Sequence, residues 1–187
     1  MSKGPETPVT AEELAAALSA ILAAPRDAGV VRLLCARPKP NSRIFPEVLT
    51  LTRAAGVAGD FEMSRPWLTL PDGSPDPQIQ VSIIPWQVLD LVWRERDRVD
   101  HPGDNIAVDM NLTEANLPAG SLLAAGTAVL RVSAEPNEGC AKWKVRCGRA
   151  AYAWTTAADH LPLRLRGLFC SVERDGELRL GDMLRRL

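Results

Sequence analysis

The chain has no C-x-x-C pair. Its four cysteines, Cys35, Cys140, Cys147 and Cys170, are dispersed, which excludes a zinc knuckle and a thioredoxin-like motif. No stretch approaches the ~20 consecutive apolar residues of a membrane span. Net charge is scarce as well, at −1, so a nucleic-acid binder driven by bulk electrostatics is excluded while a local basic pocket is not. No apolar segment follows a basic stretch at the N-terminus, so no signal peptide is expected. The expected setting is cytoplasmic and reducing, with free thiols rather than disulfides. There are two histidines, His101 and His160, and aromatics make up 5% of the chain. No internal repeat or low-complexity linker is present.

What is present is ordinary globular material: 187 residues, 46% hydrophobic and 24% charged, enough for one cored domain with an appendage. Residues 1–9, polar and carrying Pro5 and Pro8, read as a frayed tail. Thr10 and Glu13 have capping-box spacing. They open an alanine-rich helix from Ala11 to about Ala24, with Leu14, Leu18, Ile21 and Leu22 on one face, stopped by Pro25. Short strand runs follow at Gly29–Cys35, Val48–Thr52, Ile79–Ile84, Asn105–Met110, Leu122–Ala124 and Thr127–Ala134, punctuated by Gly and Pro. Pro85 starts a short helix with Trp86, Leu89, Val92 and Trp93 on its apolar face, and Arg94–Asp100 reads as its solvated end. Residues 141–154 look helical. Leu168–Glu173 and Glu177–Leu180 flank Asp175-Gly176, a hairpin signal. Many short strands with few helices predict a mainly β (α+β) fold: a barrel of antiparallel and mixed strands with peripheral helices. The expected division is 1–28 for the tail and N-terminal helix, packed on or appended to the barrel, and 29–187 for the main domain.

Four segments carry a resemblance. They are Gly56-Val57-Ala58-Gly59-Asp60, Pro102-Gly103-Asp104-Asn105, Gly126–Val132, and Gly139-Cys140-Ala141-Lys142-Trp143 with Arg146-Cys147-Gly148. In this order and spacing the chain, from about Gly29 onward, resembles the MOSC domain family, named after the C-terminal domain of molybdenum cofactor sulfurases, in its small stand-alone bacterial form. The resemblance implies a MOSC-like β-barrel. It implies that Cys140 occupies the place of the family's cysteine, which in molybdenum-bearing relatives ligates the metal of a molybdopterin-type molybdenum cofactor, and which has been assigned sulfur carriage as a persulfide. If the chain is an enzyme, the resemblance points to reduction of N-hydroxylated compounds. The chain has no flavin, haem or iron–sulfur motif, so a separate reductase is then the expected partner. The stand-alone relatives usually carry His-Thr-Gly-Cys where this chain has Asn137-Glu138-Gly139-Cys140. Asn137 offers hydrogen bonds but does not titrate.

Thiolate is the nucleophilic and soft-metal-binding form of cysteine, which makes Cys140 the candidate catalytic residue and metal ligand. Gly139, Asp104, Asn105, Lys142 and Arg146 are the candidate cofactor-binding residues. A pterin cofactor carries phosphate and needs fixed cationic donors, and Lys142 and Arg146, four apart, share a helix face. Asn105 is expected at the pocket mouth, through its amide. Cys35, Cys147 and Cys170 read as core. Cys147 lies seven residues after Cys140, about 10.5 Å along a helix at about 1.5 Å per residue, beyond the roughly 7 Å Cα limit for a disulfide. Asp60 reads as structural and His101 as a solvated loop residue. Trp143 is either a roof for a flat ring or core. The competing readings are a non-catalytic binding module for a small anion or protein partner, and a thiol redox protein that would lack a nearby resolving cysteine.

Overall fold

The computed structural model describes residues 4–187. Seven strands close into a barrel in the order β1 (Ala28–Leu34), β10 (Met183–Arg186), β6 (Leu122–Ala125), β7 (Ala128–Val132), β8 (Leu168–Arg174), β4 (Val81–Pro85) and β5 (Ile106–Val108). All neighbours are antiparallel except β4 and β5. That parallel pair is joined by α2 (Trp86–Val92), as parallel strands require a crossover. A second sheet has the order β3 (Gly56–Val57), β2 (Val48–Thr52), β9 (Gly176–Arg179). Among the described residues no helix is long and apolar enough to cross a membrane.

The alternation of β7, with Ala128, Leu130 and Val132 buried, sends one face inward to a core shared with Val31, Ile83, Ile106, Leu123, Cys170 and Leu184. β4 departs from alternation: all five of its residues are buried. The reason is a second apolar layer outside the barrel, where Ile84 and Ala107 meet Val88, Leu89 and Trp93 from the α2 segment, Leu14 and Ile21 from α1 (Ala11–Leu22), Trp143 and Cys147 from α3 (Ala141–Cys147), and Ala151 from α4 (Arg149–Thr156). A strand covered on both faces reads as a continuous hydrophobic run.

The capping box forms as expected: the Glu13 N–H donates to Thr10 Oγ1 at 3.2 Å and the Thr10 N–H to Glu13 at 2.8 Å. Four expectations are corrected. Residues 4–9 are not frayed: Val9 is buried, Thr7 donates to Glu95, and Glu6 pairs with Arg98. Residues 1–3 of the expected tail lie outside the described residues. The stretch 141–154 is two helices, broken where Gly148 takes φ +91°. Asp175-Gly176 makes no hairpin. β8 pairs with β4 and β7, whereas β9 pairs with β2, so the chain leaves the barrel there. Gly176 is needed for close approach, since a Cβ would lie 2.4 Å from the Ala128 nitrogen. Finally, α2 ends at Val92, and residues 94–100 form a loop in which Arg96 folds back over Trp86 and Trp93 and Val99 is buried.

Candidate functional site

After β7 the chain leaves the barrel through residues 133–139 and enters α3 at Cys140, whose carbonyl accepts from the Lys144 N–H at 3.1 Å. Cys140 is the exposed cysteine of the four. Cys35, Cys147 and Cys170 are buried, and all four are free. Burial, the dominant cause in each case, pushes the Cys35 and Cys147 thiols up to about 12 and Cys170 higher still.

Cys140 opens on a cavity of about 760 Å³, within the usual range for small-molecule sites. Lys142 and Arg146, one turn apart on α3, line it beside Cys140, and so does Asp104. The cavity is also lined by Arg37 and Arg43, which no local motif marks in the sequence. A tight turn at residues 38–42, closed by pairing of Ala36 with Ile44, presents them together. Arg166, at the entry to β8, completes the cationic wall, and Phe61, Trp67 and Phe169 supply aromatic surface.

Most of these cations are held by fixed partners. Arg37 pairs with Asp60 at 2.9 Å and Glu62 at 3.0 Å. Arg166 pairs with Asp104 at 2.5 Å and stacks 4.3 Å over the Trp143 ring. Arg43 donates to the His101 carbonyl, and Arg146, itself buried, donates to the Pro102 carbonyl with Asp100 at 3.9 Å. Burial, then the neighbouring Arg146, lowers the Arg43 guanidinium pKa from its ordinary value. Crowded guanidiniums of this kind favour an anion between them. Asp104 is 1% exposed, and its second oxygen, Oδ2, has no partner among the described residues. An unpaired buried carboxylate oxygen costs stability unless something donates to it.

Several expected roles change. Asn105 does not line the cavity. It is buried, and its amide is fully spent: Oδ1 accepts from the Ser82 N–H and hydroxyl, and Nδ2 donates to the Cys35 carbonyl and Asp60. It ties β1, β4 and the Asp60 loop together beneath the site. Gly139 is not a lining residue either. A Cβ there would stand 3.1 Å from the Tyr152 ring and 3.2 Å from Trp143, so the glycine lets the loop lie flat on α3 and α4. Trp143, 1% exposed, is core and not a roof. His101 is not solvated: it is 2% exposed, edge-on to Trp93 and Phe45, and burial above all lowers its pKa to about 4. Asp60 is structural as expected, and Cys35, Cys147 and Cys170 are core as expected. Asn137, in place of the usual histidine, donates to the Arg166 carbonyl at 3.3 Å.

The fold is a closed seven-stranded barrel with an outer helical layer, and its one exposed thiol opens on a cation-lined cavity. A profile of the MOSC domain matches residues 76–185, more than half of the chain, and the chain belongs to that family. Among solved structures, the YuaD protein from Bacillus subtilis is similar at 18% identity and a TM-score of 0.55, over 84% of this chain and 94% of that one. YiiM from Escherichia coli is similar at 20% identity and a TM-score of 0.50, over 84% of this chain and 69% of that one. At these identities the likeness is one of fold. No curated protein matches the chain in sequence.

Proposed function

We propose that this MOSC-domain protein binds a molybdopterin-type molybdenum cofactor through Cys140 and, so loaded, reduces N-hydroxylated compounds with electrons from a separate reductase. The observation that carries the reading is the placement of the exposed thiol on a cavity walled by Arg37, Arg43, Lys142, Arg146 and Arg166. The residues fit such a group. Thiolate is a soft ligand for the metal, the guanidiniums suit a phosphate, and the unpartnered Asp104 oxygen suits a hydrogen-bond donor. The cofactor, when bound, supplies two-electron redox chemistry that no side chain here offers. The chain's part is to hold it, to orient the substrate against Phe61, Trp67 and Phe169, and to manage protons. The same exposed thiol also suits persulfide carriage.

One observation favours a different class, a non-catalytic module that binds a small anion or a protein partner. Asn137 spends its amide on the Arg166 carbonyl, so the position ahead of Cys140 is structural and cannot relay a proton.

The test is molybdenum analysis of protein made in a host that synthesises the cofactor, wild type beside Cys140→Ser. Near-stoichiometric metal lost in the variant is the expected result. Metal in neither sinks the cofactor reading, and persulfide labelling of Cys140 then separates sulfur carriage from the module.

A further inference from the structure

Two carboxylates in the site share one guanidinium, and they share it unequally. Asp60 Oδ2 accepts from the Arg37 N–H and Nε–H, each at 2.9 Å, and from Asn105 Nδ2 at 3.1 Å, while Oδ1 accepts from the Glu62 N–H at 3.0 Å. Its side chain is 3% exposed. Glu62, on a 3₁₀ turn at Glu62–Ser64, pairs with Arg37, its Oε2 3.0 Å from Nη1. Its side chain is 16% exposed and lines the cavity that holds Cys140. Its Oε1 accepts no hydrogen bond among the described residues. When two acids compete for one cation in a desolvated site, the one with fewer hydrogen bonds is the easier to protonate.

We propose that Glu62 is the proton donor of this cavity, giving its carboxyl hydrogen to the oxygen that leaves when the N–O bond of a bound N-hydroxylated substrate is cleaved. The inference rests on the reduction put forward under Proposed function. That reduction converts R–NH–OH, two electrons and two protons into R–NH₂ and water. The N–O bond breaks and the electrons come from the separate reductase, a flavin- or haem-bearing protein. The Glu62 proton forms the new O–H bond of the departing water, the second proton reaches nitrogen from solvent, and the Glu62 carboxylate is reprotonated by solvent. A leaving hydroxide is far poorer than water, so a positioned acid is what the step needs from the protein.

The other cavity acids suit the task less. Asp104 is 1% exposed and bonded to Arg166, and Glu135 and Glu138 stand on the loop between β7 and Cys140, away from the Asp60–Arg37 pair. The charged groups facing Glu62 are Arg37 from the chain after β1, Asp60 from its own loop, and Lys142 from α3. Burial, the largest cause, raises the Glu62 pKa, with Asp60 adding to the rise and Arg37 and Lys142 opposing it.

Glu62→Gln and Glu62→Asp test the assignment. In carbon-13 NMR of glutamate-labelled protein, one side-chain carboxyl is expected to titrate above the ordinary glutamate range and to vanish in Glu62→Gln. Molybdenum content should match wild type. With N-phenylhydroxylamine as substrate, kcat of Glu62→Gln should fall by about 100-fold with KM little changed, and Glu62→Asp should retain part of the rate. Wild-type kcat should decline as pH rises through the Glu62 titration, and that decline should be absent in Glu62→Gln. A molybdenum-loaded Glu62→Gln with wild-type kcat, or a Glu62 that titrates like a free glutamate, overturns the assignment alone. Wild type without molybdenum overturns the proposed reduction, and the proton transfer with it.

Discussion

Cys140 differs from the other three cysteines in one physical respect, access to solvent, and thiol chemistry follows access and thiolate content together. Under native conditions iodoacetamide should therefore modify one cysteine, and that label should disappear in Cys140→Ser. Cys35, Cys147 and Cys170, buried, should react only after unfolding, which peptide mass spectrometry would register. His101 makes a second residue-scale case. Its Nδ1 accepts from the Gly103 N–H at 3.0 Å, and burial holds its pKa near 4 against 6.5 for the free residue. In the window between those values the unfolded chain takes a proton that the folded chain refuses. Stability is therefore complete above pH 6.5 and falls as pH drops toward 4, by on the order of 3 kcal/mol from this group. Urea unfolding at stepped pH should show that slope in wild type and a shallower one in His101→Gln. Sequence made Cys140, Lys142, Arg146 and Asp104 legible because they sit in local runs. Arg37, Arg43 and Glu62 are not legible, because their approach to Cys140 depends on two separate segments, the turn at 38–42 and the 3₁₀ turn at Glu62–Ser64, that lie far earlier in the chain. Asn105 was misplaced for a related reason: a short motif marks a position, and only the surrounding strands decide whether its amide faces a ligand or Ser82.

At the scale of elements, the period of apolar residues and the caps were readable, and the pairings were less so. Thr10 and Glu13 announced α1, and their reciprocal hydrogen bonds form. Thr10→Ala should lower stability by about 1 kcal/mol, read as a drop in the urea midpoint at constant slope. Asp175-Gly176 shows the opposite outcome. A two-residue signal between two strands predicts a hairpin, yet β9 pairs with β2, because Leu178 and Leu51 both enter the core from that second sheet. Gly148 ends one helix and starts another from φ +91° and ψ 167°, a region essentially reserved for glycine, with Pro8 Cβ 3.0 Å from where a side chain would begin. Gly148→Ala should cost about 1–3 kcal/mol in chemical denaturation. The strain falls at the α3–α4 junction, so iodoacetamide modification of Cys147, the last residue of α3, should accelerate in this variant before global unfolding is reached.

For the whole molecule, the mainly β class was legible from many short strands with few helices. What sequence concealed was that β4 and β5 are covered on both sides, so that the molecule has two apolar layers and the helices form the outer one. The N-terminal segment belongs to that outer layer. Val9, Leu14 and Ile21 are at most 5% exposed, and each buried side chain of this size stabilises by roughly 1.5–3 kcal/mol. Their combined loss is comparable with the lower end of typical domain stability, about 5 kcal/mol. Deleting residues 1–24 should therefore loosen the outer layer first, because the barrel closes through its own strand pairings without that segment. Three cysteines report on the two layers. Cys147 lies in the outer layer, Cys170 in the barrel core, and Cys35 follows β1, with its N–H bonded to the Asn105 carbonyl. In the shortened protein, native-state alkylation should reach Cys147 well ahead of Cys35 and Cys170. Equal exposure of all three would mean that the barrel has no stability of its own and that the two layers fold as one cooperative unit.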